Sequence, residues 1–166
     1  MQESVADRVR DLRAADPGTR RRAAEDLCRL GNGARGAAVA LVLASADPDE
    51  QVRQWAAAAL EELGPPLARD LGSLGERLRD EHADVAFWSA TLLGRLGSQA
   101  ARAVPQLALA LTEHDSPQVR QRAAWALGMI GPAAQAAEAA LRAAAGSRDA
   151  RLARLAAQAL RQLGCP

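Results

Sequence analysis

The chain has no tyrosine, one phenylalanine, one isoleucine, two cysteines and two histidines in 166 residues. Each shortage excludes something. With so few aromatic and β-branched residues there is little from which to build strands. Cys28 and Cys165 are too few and too far apart for a disulfide framework or a metal site, and two free thiols suit a reducing compartment. The charged start MQESVADRVRDL lacks the apolar run of a signal peptide. No segment approaches the roughly 18 apolar residues of a membrane span. A soluble, cytoplasmic protein that does not enter membranes is therefore expected. Lysine is also absent: all 21 basic residues are arginine, which fits a GC-rich genome and carries no functional weight. Net charge is only +1, so there is no bulk signal for nucleic acid. The charge is uneven, however, with mildly basic ends and an acidic stretch over 36–100.

What the chain does have is 41 Ala and 23 Leu, both strong helix formers. It also has a repeat. An apolar residue followed by glycine recurs as Leu30-Gly31, Leu63-Gly64, Leu96-Gly97, Ile130-Gly131 and Leu163-Gly164, at spacings of 33, 33, 34 and 33. Similar text precedes each pair, as in DPDEQVRQWAAAALEELG and DSPQVRQRAAWALGMIG. Asp or Ser ahead of each helix supplies an N-cap, Pro48 or Pro117 fits a first turn, and the glycine supplies a left-handed stop. Val52, Ala56, Leu60 and Leu63, with their equivalents, form one helix face. Second apolar segments at 34–45, 66–79, about 100–112 and 133–145 carry Leu41, Leu74, Leu107 and Leu141, each ten residues after a glycine. Residues 3–14 supply the first partner. The expected fold is all-α: ten helices in five antiparallel pairs. Gly72 and Gly75 should weaken the third partner helix. The chain reads as one domain over 1–166, with units of approximately 1–31, 32–64, 65–97, 98–131 and 132–164.

Residues 115–131 and 47–64 carry the pattern D-P-x-V-R-x-x-A-A-x-A-L-G-x-x-G almost throughout. The chain thus resembles HEAT-repeat proteins, in particular the short HEAT-like repeats named after phycobilisome lyases. That resemblance implies an α-solenoid, a superhelix in which the second helix of each pair lines the concave face. It also implies that Asp and Arg tie neighbouring repeats, here at Asp16/Arg20, Asp47/Arg53 and Asp115/Arg120. Ala86 and Ala153 occupy the Arg place in the third and fifth copies.

At about 100° per residue, with Trp55 at zero, the core positions of its helix span roughly 40° to 140°. Glu62, Gln51, Ala58 and Gln54 span roughly −20° to −100°, pointing away from the core. Carried through the copies, this stripe holds all four aromatics, Trp55, Phe87, Trp88 and Trp125, together with Met129. Arg22, Arg95, Arg122 and Arg154 are among its six arginines, which face only two acids, Glu25 and Glu62. Aromatics and arginine at the centre of a patch have the composition of a binding hot spot. The alternative is that the rings fold sideways and fill gaps between alanine-rich helices; this applies more to Trp55 and Trp88 than to Trp125, which sits farther round the wheel.

Catalytic constellations are missing. His82 and His114 lie in turns, close to Asp80, Asp84 and Asp115, and a metal site bridging stacked turns is conceivable. Deoxyhypusine hydroxylases, a HEAT-repeat enzyme family, hold di-iron with several His-Glu pairs on helices. Here the order is reversed as Glu-His, there are two such pairs, and they lie in loops, so polar turn residues are the expected reading and neither metal nor cofactor is assigned. GNGARG follows a helix stop and lacks the context of a phosphate loop. The expected function is a non-catalytic interaction module whose concave Trp, Phe and Arg residues hold a protein or peptide, with the arginines pairing acidic groups. Two alternatives come from the resemblance: nucleic-acid binding in the manner of HEAT-like alkylpurine DNA glycosylases, and a bilin-lyase-like accessory role. The acidic middle and the lack of Asp on the stripe count against nucleic acid. Leu152, Leu155 and Leu160 suggest an apolar end capable of weak self-association.

Overall fold

Alanine and leucine dictate the secondary structure, and the punctuation between copies dictates where it breaks. The structure is a computed structural model and describes residues 4–165. It contains ten α-helices and no strand among those residues. Backbone contacts divide the chain into two compact units between Asp70 and Leu71.

The first unit contains α1 (Val5–Asp11), α2 (Pro17–Leu30), α3 (Ala38–Ala44) and α4 (Glu50–Glu62). Ser4 and Asp7 form a reciprocal capping box at the start of α1; the expected start at residue 3 lies outside the described residues. Helix α2 packs on α1 and lies beside α4, which also packs on α3. The second unit contains α5 (Leu71–Arg77), α6 (Ala83–Leu96), α7 (Val104–Glu113), α8 (Pro117–Ile130), α9 (Glu138–Ala145) and α10 (Ala150–Leu163). Here α6, α8 and α10 lie side by side, and each packs against its own partner, α5, α7 or α9. Three of the partner helices are entered through seven-residue 3-10 segments, Gly31–Ala37, Gly97–Ala103 and Gly131–Ala137, and a shorter one, Ala68–Asp70, precedes α5 in the sequence.

The core follows the repeat. Leu41, Leu74, Leu107 and Leu141 are fully buried, as are Val52, Ala56 and Leu60 with most of their equivalents. Buried alanines at 23, 24, 56, 86, 90, 123, 124 and 156 line the seams between helices and permit close approach. Closest of all are two helical glycines. A β-carbon on Gly94 would lie 2.4 Å from the Trp125 ring, and one on Gly128 would lie 2.2 Å from Gln162 Oε1 and 3.1 Å from the Ala159 backbone.

Several expectations about the punctuation need correcting. Gly31, Gly97 and Gly131 have φ of 50° to 69° but ψ of −127° to −141°, so they do not form left-handed helical stops; only Gly164 does. Positive φ still demands glycine, but the chain turns straight into a 3-10 segment and needs the different ψ. Gly64 is not at positive φ at all. Pro65 and Pro66 follow it, so the chain leaves α4 extended at Leu63. The Gly64 N–H donates to Asn32 Oδ1 at 2.7 Å. Capping shifts as well. Asp49 rather than Asp47 caps α4, which places Pro48 before the cap; Pro17 and Pro117 do open α2 and α8. His82 and Ser116 occupy the cap positions of α6 and α8 without a side-chain cap bond.

Of the expected Asp/Arg ties between neighbouring repeats, the one from Arg20 is formed, and Arg53 and Arg120 bind carbonyls instead. Arg20 does not bridge to Asp16, whose carboxylate accepts from the Thr19 N–H; it forks onto Asp47 of the next copy, Nε at 2.8 Å and Nη2 at 3.0 Å. The same guanidinium donates through Nη1 to the carbonyls of Ala14 and Ala15. Arg53 donates likewise to the carbonyls of Asp47 and Pro48, and Arg120 to those of His114 and Asp115. Each of these arginines therefore clips the turn ahead of its own helix, and Arg20 also forks onto an acid of the next copy. On α10 Leu152 is buried, Leu155 and Leu160 are half-buried, and Arg151, Arg154, Gln158, Arg161 and Gln162 are exposed. No helix among the described residues is long and apolar enough to cross a membrane.

Candidate interaction site

The stripe residues sit on the second helices because the opposite face of each is fixed in the core. In the first unit Trp55 stands 37% exposed on α4, and Arg22 is exposed on α2, where it donates only a long bond to Thr19 Oγ1 at 3.4 Å. In the second unit the rings converge. Phe87 and Trp88 of α6 meet edge to face, with centroids 5.4 Å apart and planes at 86°. The Arg122 guanidinium of α8 lies 4.4 Å from the Phe87 centroid and 5.1 Å from that of Trp125. Two ring faces thus clasp one cation. Trp125 is half-buried and rests against Gly94.

This cluster borders a cavity of about 330 Å³. Phe87 of α6 lines it, together with Gln118, Gln121, Arg122 and Trp125 of α8. Arg151 and Leu155 of α10 complete the lining. The lining contains two arginines and no carboxylate. No hydrogen bond or ion pair engages Arg122 among the described residues. Burial pushes its pKa below the ordinary arginine value, and the positive charges of Arg151 and Arg95 add to that shift. Asp149 touches the lining through Gln121, whose Nε2 donates to it at 2.8 Å, but its carboxylate also caps α10 by accepting from the N–H groups of Arg151 and Leu152.

Of the stripe residues named from sequence, the structure brings together Phe87, Trp88, Arg122 and Trp125, with Arg95 contributing its charge. Met129 (45% exposed) and Arg154 lie on α8 and α10 outside the cavity lining, while Trp55 and Arg22 belong to the first unit. Thr91 is buried and donates its hydroxyl to the Phe87 carbonyl, so it is not displayed. Gln118 and Arg151 were not named as site residues from the sequence. The signal for them was present: Gln51 falls within the stripe on the wheel, and Gln118 and Arg151 are its equivalents.

A second, more open cleft of about 830 Å³ lies over the turns before α6 and α8. It is bordered by Asp80, Glu81, Glu113, His114 and Asp115, with Arg79. His114 Nδ1 accepts from the Ser116 N–H at 3.1 Å, and its Nε2 lies 3.4 Å from the Asp80 carbonyl. His82 pairs with the Asp80 carboxylate at 3.1 Å. Among the described residues no three His, Cys, Asp or Glu side chains converge as a metal would require.

The family model for HEAT repeats matches residues 6–85 and again 71–161. No curated protein gives a match. Among solved structures, an engineered protein superposes with a TM-score of 0.66 at 25% identity, covering 97% of this chain and 81% of that one. The complex of CpcE and CpcF of phycocyanin lyase, from a Nostoc species, superposes at 0.62 and 26% identity, over 98% of this chain and 66% of that one. A designed armadillo repeat protein in complex with the peptide (KR)4 is similar in fold, with a TM-score of 0.66 at 17% identity over 96% and 82% of the two chains.

Proposed function

Because the chain belongs to the HEAT-repeat family, we propose that it is a non-catalytic scaffold that holds a protein or peptide partner on the stripe face of its second helices. One observation carries this reading: Arg122, clasped by Phe87 and Trp125, borders an open cavity whose lining holds no carboxylate. Desolvating a cation costs free energy that its own fold normally offsets with a paired acid, so here the offset is assigned to a partner. Within the second unit Trp88 and Met129 add apolar contacts to this surface and Arg95 and Arg154 basic ones; Trp55 and Arg22 are assigned the same kind of role within the first unit. The likeness to a two-protein lyase complex and to a peptide-bound armadillo design supports partner holding of this kind. The test is affinity capture from an extract of the source cells with wild type and the Trp88→Ala/Trp125→Ala double variant, with circular dichroism as the check on folding. Loss of the captured partner from the folded variant is expected. Equal retention would rule out the stripe as the holding surface.

A second reading draws on the lyase likeness alone: an accessory protein that handles a bilin chromophore. Visible absorbance after incubation with free bilin decides it. An unchanged spectrum excludes it.

A further inference from the structure

The cavity beside Arg122 bears on the chemistry of that partner, and its assignment rests on the scaffold reading. The Arg122 guanidinium lies over the Phe87 and Trp125 rings, and no hydrogen bond or ion pair among the described residues takes up its N–H groups. A guanidinium edge is a planar fork of donors and matches a carboxylate in two parallel hydrogen bonds. Arg151 adds a second positive charge to the cavity, and nothing acidic lines it. Trp125 and Leu155 supply apolar wall next to the charge. A volume of about 330 Å³ is at the lower end of ligand sites. It suits one or two side chains of an extended segment better than a large cofactor.

We infer that this cavity receives an acidic peptide segment, with a Glu or Asp carboxylate on Arg122 and Arg151 and a neighbouring apolar side chain against Trp125 and Leu155. Charge complementarity selects that occupant. A nucleic acid would bring a long run of phosphates, whereas the second unit's other cleft is bordered by Asp80, Glu81, Glu113 and Asp115 and repels a polyanion. A short acidic segment needs only the local pair of arginines.

The test uses the whole chain and a fluorescein-labelled, Glu-rich peptide carrying one leucine. Three comparison probes accompany it: the same peptide with Gln for Glu, a Lys-rich version, and a single-stranded oligonucleotide. Fluorescence anisotropy should show saturable binding of the Glu peptide alone, weakening as salt screens the charges. Arg122→Ala and Arg151→Ala should each lower that affinity about tenfold, as loss of a charged hydrogen bond does. Arg142→Ala, on α9 and paired with Glu138, should leave it unchanged. Intrinsic fluorescence should shift on binding in wild type but not in Trp125→Phe. Arg151 is exposed, so its variant keeps the test meaningful if Arg122→Ala unfolds. No binding of the Glu peptide, equal binding of the Gln peptide, or tighter binding of the oligonucleotide would each overturn the inference. If the acidic peptide fails while a captured partner still depends on Trp88 and Trp125, the scaffold reading stands and only its chemistry is wrong.

Discussion

The two clefts of the second unit differ in size by more than twofold, and the smaller one is the better candidate for a site. In the larger cleft His114 and Asp80 are already engaged within the fold. His114 is engaged at both ring nitrogens, Asp80 accepts from the His82 N–H, and Arg120 is spent on the carbonyls of His114 and Asp115. In the smaller cleft a partly desolvated guanidinium has two rings and no anion. Volume records how loosely turns pack. Chemistry left unpaired records what the surface was shaped to receive.

The sharpest challenge to this contrast is to disturb the floor of the smaller cleft. Gly94→Ala forces a β-carbon to within 2.4 Å of the Trp125 ring. Such overpacking costs about 1–3 kcal/mol, against a gain of up to about 1 kcal/mol from alanine's helix propensity. Urea unfolding should show a net loss of up to about 3 kcal/mol, with red-shifted Trp emission as the ring is pushed outward. A neutral or stabilised variant would mean that Trp125 is not seated as described.

The larger cleft should respond less. His114→Ala removes the acceptor for the Ser116 N–H and should cost about 1 kcal/mol, with the peptide affinity of the smaller cleft unchanged. A matching loss of affinity would join the two clefts functionally and end the contrast.

The smallest effect concerns two equivalent helix caps. Asp49 is paired with Arg21, and Asp149 with the neutral Gln121 at the same repeat position. The hydrogen bond from Arg21 lowers the Asp49 pKa to about 2, aided by the N–H groups of Val52 and Gln51. A folded-state pKa below the unfolded value means that this stabilisation is complete above about pH 4 and fades as pH falls toward 2. Asp49→Asn should therefore flatten the acid limb of the stability curve in that window. An unchanged acid limb would show that the pair contributes nothing to it.

Much of the architecture was legible because it is periodic. The apolar-Gly pairs announce five copies, and the wheel of α4 separates Val52, Ala56 and Leu60 from Trp55 with no further information. The features that were not legible depend on geometry that sequence encodes ambiguously. Positive φ at Gly31, Gly97 and Gly131 fits either a left-handed stop or the turn actually used, since ψ is decided by the 3-10 segment that comes next. DPDE offers two capping aspartates, and the second is the one used. Whether Trp125 is core or displayed has an answer that mixes both: it fills the space over Gly94 and borders the cavity. The clue was a glycine within a helix of otherwise larger residues. Arg151 was legible too, since it holds the place of Gln51 in the last copy.

The arginine clips carry one more consequence, about time rather than structure. Arg20, Arg53 and Arg120 each hold two carbonyls of the turn before their helix. Helices α6 and α10 have alanine there instead. Asp149 still caps α10, but α6 begins at His82 with no side-chain cap bond. The first turn of α6 is therefore expected to fray most often, with amide exchange around 83–85 running ahead of the matching turns of α2, α4 and α8. A protease would find the same place: trypsin should nick the folded chain first at Arg79, just ahead of that turn.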